Sequence, residues 1–209
     1  MKIRCIWEHN GSDTLLYTAD YIGAFSRGAN RDIAEAKLRR EIRSYLSWKD
    51  GIDEEINEIE IEIMQNQPSE LNIADADSDV LFETEKEPIS VGEYLELKVI
   101  AMKSAMDFQR LYDSIPDKDL SRRPARTTFY GAVPRTAKEM YEHTKSVNAY
   151  YFGEIGVEAD NDGTIAECRM RGFEALEKLA GIDGETLKGH GLLMPNPVIS
   201  GSQGELWTL

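Results

Sequence analysis

Three Ser/Thr-x-x-Glu motifs determine where helices begin in the second half of the chain. In such a motif the hydroxyl accepts a hydrogen bond from a backbone N–H ahead of it, and the glutamate reaches back to the first residue, which is typical of a helix N-terminus. Each motif opens an amphipathic stretch, and three capped amphipathic helices joined by loops predict an up-down helical bundle over residues 93–209. The motifs are Ser90 with Glu93, Thr136 with Glu139, and Thr164 with Glu167.

The first 66 residues follow a different period. Two short β-type runs, residues 2–8 and 14–20, flank Asn10-Gly11, a pair typical of a tight hairpin turn. A helical spacing of apolar residues follows from about Arg31, and "INEIEIEIM" (56–64) then alternates isoleucine with glutamate, as a half-buried strand does. The order β-β-(β)-α-β predicts an antiparallel sheet with one packed helix over residues 1–66. The predicted fold class of the whole chain is therefore α+β.

The distribution of charge marks a third region between the two predicted domains. The formal net charge is −14, and residues 67–92 carry seven acids and one base. This stretch, with two prolines, is predicted to be a solvated acidic connector between the two domains. No half of the chain is basic, which argues against a nucleic acid or an anionic membrane as the main partner.

The two cysteines predict no disulfide. Cys5 and Cys168 lie far apart, outside any CxxC or Cys/His cluster, and are expected to be small buried residues. No apolar run approaches the ~20 residues that cross a bilayer, and "MKIRCIWEHN" lacks the apolar core of a signal peptide. We therefore expect a cytoplasmic protein.

A histidine within the second capped helix is the candidate metal ligand. His143 belongs to a set spaced at i, i+3, i+7 and i+10, which predicts that it faces the interior of the bundle. A lone inward histidine can be a hydrogen-bonded core residue or a ligand, and a metal needs three or more ligands. His9 lies in the predicted hairpin and His190 in a loop. The set is Met140, His143, Val147 and Tyr150.

Two charged motifs are candidate binding sites. "SRRPAR" places Arg122, Arg123 and Arg126 beside a loop near the predicted mouth of the bundle. They are either solvated or paired at helix ends, or they bind an anionic substrate, because guanidinium groups recognise carboxylates bidentately. "DADSD" resembles the start of an EF-hand loop, but Val80 and Lys86 occupy the positions where such a loop needs glycine and glutamate.

Residues 93–209 resemble the DinB-like (DinB/YfiT) bundles. The resemblance is carried by the long first helix, by "LYDSIPDKDL", and by the capped helix "TAKEMYEH…VNAYYF". It implies that His143 is the first ligand of a divalent metal, zinc or nickel. It also implies two further histidines on a fourth helix, and an activity as a thiol-dependent transferase or isomerase. The chain ends at "GSQGELWTL", where that helix is expected to start, so we expect an incomplete bundle that binds no metal by itself.

Residues 1–66 resemble a HicB-type antitoxin domain, through "IWEHNGSDTLLYTADYIGAFSRGAN" and the helix that follows. This resemblance implies a module that dimerises or pairs with a small protein partner, and it supplies no catalytic residue.

Two hypotheses follow, and whether the chain is an enzyme stays open. In the first, the bundle is a metal-dependent thiol transferase or hydrolase. His143 binds the metal, Arg122, Arg123 or Arg126 holds an anionic substrate, and the metal lowers the pKa of a bound thiol or water. In the second, the chain is a non-catalytic regulatory or protein-interaction protein. An incomplete bundle exposes apolar surface, so a homodimer is expected in either case.

Overall fold

The chain forms two compact units. The computed structural model describes residues 1–51, 58–75, 77–78, 80–86, 88–128 and 131–182. The predicted α+β class is confirmed, because a four-stranded sheet with one helix comes first and further helices follow. The first unit consists of Met1–Ile89 with Ala125–Val133, and the second of Ser90–Pro124 with Pro134–Leu209.

The first unit is a sheet with one long helix packed on it. In chain order it contains β1 (Lys2–His9), β2 (Thr14–Thr18), β3 (Phe25–Gly28), α1 (Arg31–Asp50) and β4 (Glu60–Pro68). The strand order is β3-β2-β1-β4. The pairs among β1, β2 and β3 are antiparallel, as predicted, whereas β1 and β4 run parallel. A parallel pair requires a crossover, and α1 provides it because it carries the chain between the two edges of the sheet.

Helix α1 covers one face of this sheet. The side chain of Asn30 accepts a hydrogen bond from the backbone N–H of Ile33 at 3.0 Å and so caps the helix. The helix ends at Gly51, whose φ of 65° lies in the left-handed region that favours glycine. Buried residues of the helix and the sheet form one core: Ile3, Cys5, Leu16, Ala24, Ala34, Leu38, Ile42, Tyr45, Leu46 and Ile59.

The opposite face of the sheet is covered by residues 71–75, 77–78 and 80–86, here named the acidic strap. Ile73 of the strap is fully buried. The amide of Asn10 donates to the carbonyl of Leu71 at 2.9 Å, and Arg27 Nη1 donates to the carbonyl of Ala74 at 2.5 Å. Residues 71–75 of the predicted connector are therefore packed on the sheet.

Three helices make up the described part of the second unit: α2 (Val91–Ser114), α3 (Ala137–Glu154) and α4 (Ile165–Ala180). All three predicted capping boxes are present. Helix α4 packs against both α2 and α3. The predicted incomplete end of the bundle, and His190, lie outside the described residues.

One tyrosine ties the three helices together. Tyr141 on α3 stacks on Phe108 and Tyr112 of α2, with ring centroids 5.8 and 4.1 Å away. Its hydroxyl accepts a hydrogen bond from the backbone N–H of Ile165, the first residue of α4, at 2.9 Å, and donates to the side chain of Gln109.

Two short strands, β5 (Thr127–Thr128) and β6 (Gly131–Ala132), pair antiparallel and belong to the first unit.

Candidate functional site

The structure corrects the predicted orientation of His143. Its side chain is exposed, whereas Tyr141, Asn148 and Phe152 form the buried face of α3. Asn148 can be buried because its amide donates to the carbonyls of Asp160 and Cys168, at 2.8 and 3.2 Å. The prediction was wrong because apolar spacing alone favoured the opposite side of the helix.

The residues described do not fit the metal centre that the DinB-like resemblance implies. Within the described ranges, no group of three or more His, Cys, Asp or Glu side chains is close enough to hold a metal ion. His9 belongs to the first unit, where it stacks on Trp7 at 4.2 Å and its Nε2 lies 2.9 Å from Asn66 Oδ1. His143 as a ligand stays a prediction.

The face of α3 that carries His143 is largely apolar. Met140, His143, Val147, Tyr150 and Tyr151, here named the α3 stripe, lie at i, i+3, i+7, i+10 and i+11. Tyr150 is 61% exposed and Tyr151 is 64% exposed, with their ring centroids 5.3 Å apart. A helix that displays two tyrosines and a methionine to solvent is typical of a contact surface for another protein.

The predicted arginine cluster is divided between the two units. Arg126 belongs to the first unit, where its Nη2 lies 2.9 Å from Asp75 Oδ1 of the acidic strap. Arg122 and Arg123 are exposed residues of the second unit, and the carbonyl of Arg123 accepts a hydrogen bond from Arg135 Nη1 at 3.3 Å. Arg126 is therefore an exposed residue that is paired with a carboxylate of its own unit.

A buried carboxylate lies beneath the acidic strap. Glu8, near the end of β1, is fully buried. The hydroxyl of Ser78 donates to Glu8 Oε2 at 2.6 Å, and the hydroxyl of Tyr17 donates to Ser78 Oγ at 2.9 Å. Glu8 Oε1 is also buried and has no hydrogen-bond partner among the residues that the structure describes. A buried carboxylate oxygen without a donor is costly, so this contact is incompletely satisfied.

Three aromatic rings from separate segments continue outward from this contact. Tyr17 on β2 lies 6.1 Å from Phe25 on β3 and 5.4 Å from Phe82 of the strap, measured between ring centroids. Phe25 is 49% exposed. Burial, with the nearby charge of Glu8, raises the pKa of Tyr17, so its hydroxyl stays protonated and neutral. We name Phe25, Tyr17 and Phe82 the aromatic row.

The second unit contains a buried polar cluster between α2 and α4. Lys98 and the hydroxyl of Tyr94, both on α2, donate to the same oxygen of Glu177, Oε1, at 2.5 and 3.1 Å. Burial, followed by the charge of Glu177, raises the pKa of Tyr94. The donors are committed to Glu177, so the cluster holds two helices together.

The cysteines behave as predicted. Cys5 and Cys168 are both free and buried. Burial raises the pKa of the Cys5 thiol to about 12 and also raises that of Cys168. Neither thiol is ionised near neutral pH, so neither is an activated nucleophile.

Comparisons with known proteins supply no relative. No family model, no curated protein and no solved structure matches the chain. The HicB-like and DinB-like resemblances therefore remain predictions from the sequence. None of the helices in the described ranges is long and apolar enough to cross a membrane.

Sequence patterns only weakly indicate the α3 stripe and the buried Glu8. Tyr151 adjoins the predicted i, i+3, i+7, i+10 set, and could have been recognised as part of a second apolar stripe. Glu8 occurs in "KIRCIWE", where alternation assigns it to the face of β1 opposite Cys5. Nothing local in the sequence indicates that the acidic segment covers that face.

Proposed function

We propose that the chain is a non-catalytic, cytoplasmic protein-interaction protein that forms a homodimer through the α3 stripe. The supporting observation is the exposure of Met140, Tyr150 and Tyr151 on one side of a helix whose other side buries Tyr141, Asn148 and Phe152. Tyrosine and methionine are enriched in protein interfaces, and a large ring loses little conformational entropy when it is buried.

The spacing of the stripe suits a two-fold symmetric pair. In such a pair the same patch on each copy must complement itself. If two α3 helices pack antiparallel about residue 145, Met140 lies opposite Tyr150 of the second copy, and His143 lies opposite Val147. Each apolar side chain then meets another large side chain, and the imidazole is partly covered.

The metal-dependent transferase is the alternative proposal, and it depends on the DinB-like resemblance. It needs ligands for His143 that the described residues do not bring together. Self-association needs no further residues, and for that reason we prefer it.

The test is the mass of the full chain in solution, measured by sedimentation velocity over a range of concentrations. We expect a dimer for the wild type and a monomer for the double variant Tyr150→Ser/Tyr151→Ser. Serine removes both rings from positions that are mostly exposed, so the monomer should stay folded by circular dichroism.

A matched control carries the same chemical change outside the stripe. Leu111 and Leu179 are exposed on α2 and α4, and Leu111→Ser/Leu179→Ser should remain dimeric. A wild-type chain that stays a monomer up to roughly 1 mM, the weak end of specific association, would overturn the proposal. So would a dimer that is unchanged by the tyrosine substitutions.

A further inference from the structure

The aromatic row of the first unit lies in strongly acidic surroundings. Phe82 is followed directly by Glu83, and Ser78 is preceded by Asp77, within the stretch that holds seven acids and one base. Glu83 is paired with Lys86 at 2.7 Å, and Asp75 with Arg126. No such pair is present for Asp77 or Glu85 within the described part of the chain, so the surface around the rings keeps negative charge.

A buried negative charge also lies next to the row. The carboxylate of Glu8 contacts the hydroxyl of Ser78, which accepts a hydrogen bond from Tyr17, the central ring. Glu8 Oε1 has no partner among the described residues. The row is thus the outer end of a hydrogen-bonded chain that begins at a buried carboxylate. Arg27 Nη1 donates to the carbonyl of Ala74, and the positive charge of Arg27 acts on the hydroxyl of Tyr17 against that of Glu8.

We propose that the aromatic row is a docking site for an extended segment of a second protein that carries lysine or arginine side chains. Cations are attracted to the faces of aromatic rings, most strongly where carboxylates add to the field. A nucleic acid or an acidic peptide would be repelled by the same charges. The partner is therefore identified by its positive charge.

The dimensions of the row suit an extended peptide. The gaps between neighbouring ring centroids are 6.1 and 5.4 Å. Alternate side chains of an extended strand are about 6.6 Å apart. Two basic side chains at positions i and i+2 can therefore each approach one gap, while the intervening side chain points to solvent.

The experiment measures binding of a fluorescein-labelled peptide of alternating lysine and threonine to the full chain by fluorescence anisotropy. We expect saturable binding that weakens as salt is added, because exposed charges are screened. A peptide of alternating glutamate and threonine should not bind.

The decisive variants keep apolar area but remove the ring. Phe25→Leu and Phe82→Leu should each weaken binding about two- to fivefold, the usual effect of one exposed cation–π contact. Ile22→Ala is the control, because Ile22 is about as exposed as Phe25 but lies outside the row. It should bind as the wild type does.

The outcomes separate specific docking from general attraction to an acidic protein. Equal affinity of the wild type and both leucine variants would overturn the proposal, because charge alone would then explain the binding. Absence of binding by the wild type would also overturn it. The α3 stripe is not altered in these variants, so failure here leaves the proposed dimer unaffected.

Discussion

Lys98 Nζ lies 2.5 Å from Glu177 Oε1 between α2 and α4, and the two side chains are only 7% and 9% exposed. A buried ion pair gains attraction in a medium of low dielectric but loses the hydration of both charges, so the net effect of the intact pair is small. Removal of one partner leaves the other charge buried and unpaired.

We therefore expect Lys98→Met and Glu177→Gln each to lower the free energy of unfolding by about 3–5 kcal/mol. The double variant Lys98→Met/Glu177→Leu should be much closer to the wild type, because no unpaired charge remains. Urea denaturation followed by circular dichroism measures all three. Single variants as stable as the wild type would show that water reaches the pair.

The close approach of Gly172 on α4 to the ring of Phe152 on α3 gives a second prediction. A Cβ atom at Gly172 would lie 2.2 Å from the ring, so Gly172→Ala should destabilise the unit by about 1–3 kcal/mol through overpacking. Gly153, also helical, has open space around its Cβ position. Gly153→Ala should instead stabilise by about 0.5–1 kcal/mol. Thermal unfolding distinguishes the two, and a stable Gly172→Ala protein would mean that the helices can separate at low cost.

The capping boxes predict how stability depends on pH. Hydrogen bonds from the backbone N–H groups of Arg135 and Thr136 lower the pKa of Glu139, and corresponding bonds lower the pKa values of Glu93 and Glu167. A carboxyl whose pKa is lower in the folded state stabilises the fold above its unfolded value. That contribution is lost as the pH falls through the folded pKa. Acid should therefore weaken all three helix starts below pH 4.5, the ordinary glutamate value.

Glu139→Gln separates this effect from the cap itself. Glutamine can also reach back to the N-cap but carries no charge, so stability near neutral pH should be lower than in the wild type, and the loss on acidification should be smaller. Melting temperatures measured across the acid range test this. Glu158→Gln removes a charge from an exposed residue outside any capping box. If both variants flatten the pH profile equally, overall charge and not the cap is responsible.

Ser78 provides the one hydrogen bond that Glu8 receives from the described residues, so Ser78→Ala should affect the first unit. We expect a loss of about 1–3 kcal/mol, the usual penalty for a buried group left without its partner. Amides of the acidic strap should also exchange faster with deuterium. Ser12→Ala, in the exposed loop between β1 and β2, should have no comparable effect. Unchanged exchange in the Ser78 variant would show that the strap is held by its other contacts.

The predicted metal ligand can be tested directly. We expect His143 to bind nickel or zinc no more tightly than an isolated surface imidazole, because the described residues bring no group of three or more His, Cys, Asp or Glu ligands together. Isothermal titration of the wild type and His143→Ala should then give the same weak response. Stoichiometric binding that disappears in His143→Ala would restore the DinB-like metal site.

Sequence patterns predict an element correctly where its physical cause lies within a few residues. The capping boxes depend on residues three apart, so Thr136 and Glu139 alone predict where α3 begins. The alternation over 56–64 predicts a strand there, and β4 is present at Glu60–Pro68, so the element is correct while its bounds are shifted towards the C-terminus. Its parallel pairing with β1 could not be predicted, because it depends on the path of α1 across the sheet.

The local sequence does not determine which face of a helix is buried. In α3 both sides carry aromatic residues, and the side that is buried includes Asn148, whose amide is satisfied by carbonyls of Asp160 and Cys168. In α1, Ile33 fits the apolar spacing yet is exposed, while Ala34 is fully buried. The prediction of a solvated connector is wrong at Ile73 for a similar reason, because the excess of acidic residues around it does not indicate that this side chain is buried. These assignments depend on partners that are distant in the sequence.

The pair β5–β6 has a consequence for how this protein can be divided. It belongs to the first unit, although the chain on both sides of it belongs to the second. The chain therefore passes between the units at three places, and Asp75 of the strap takes its ion-pair partner, Arg126, from beyond the first helix of the other unit. A protein shortened at Ile89 would lose that partner. No single cut in the chain therefore separates the first unit, with its Asp75–Arg126 ion pair, from the second.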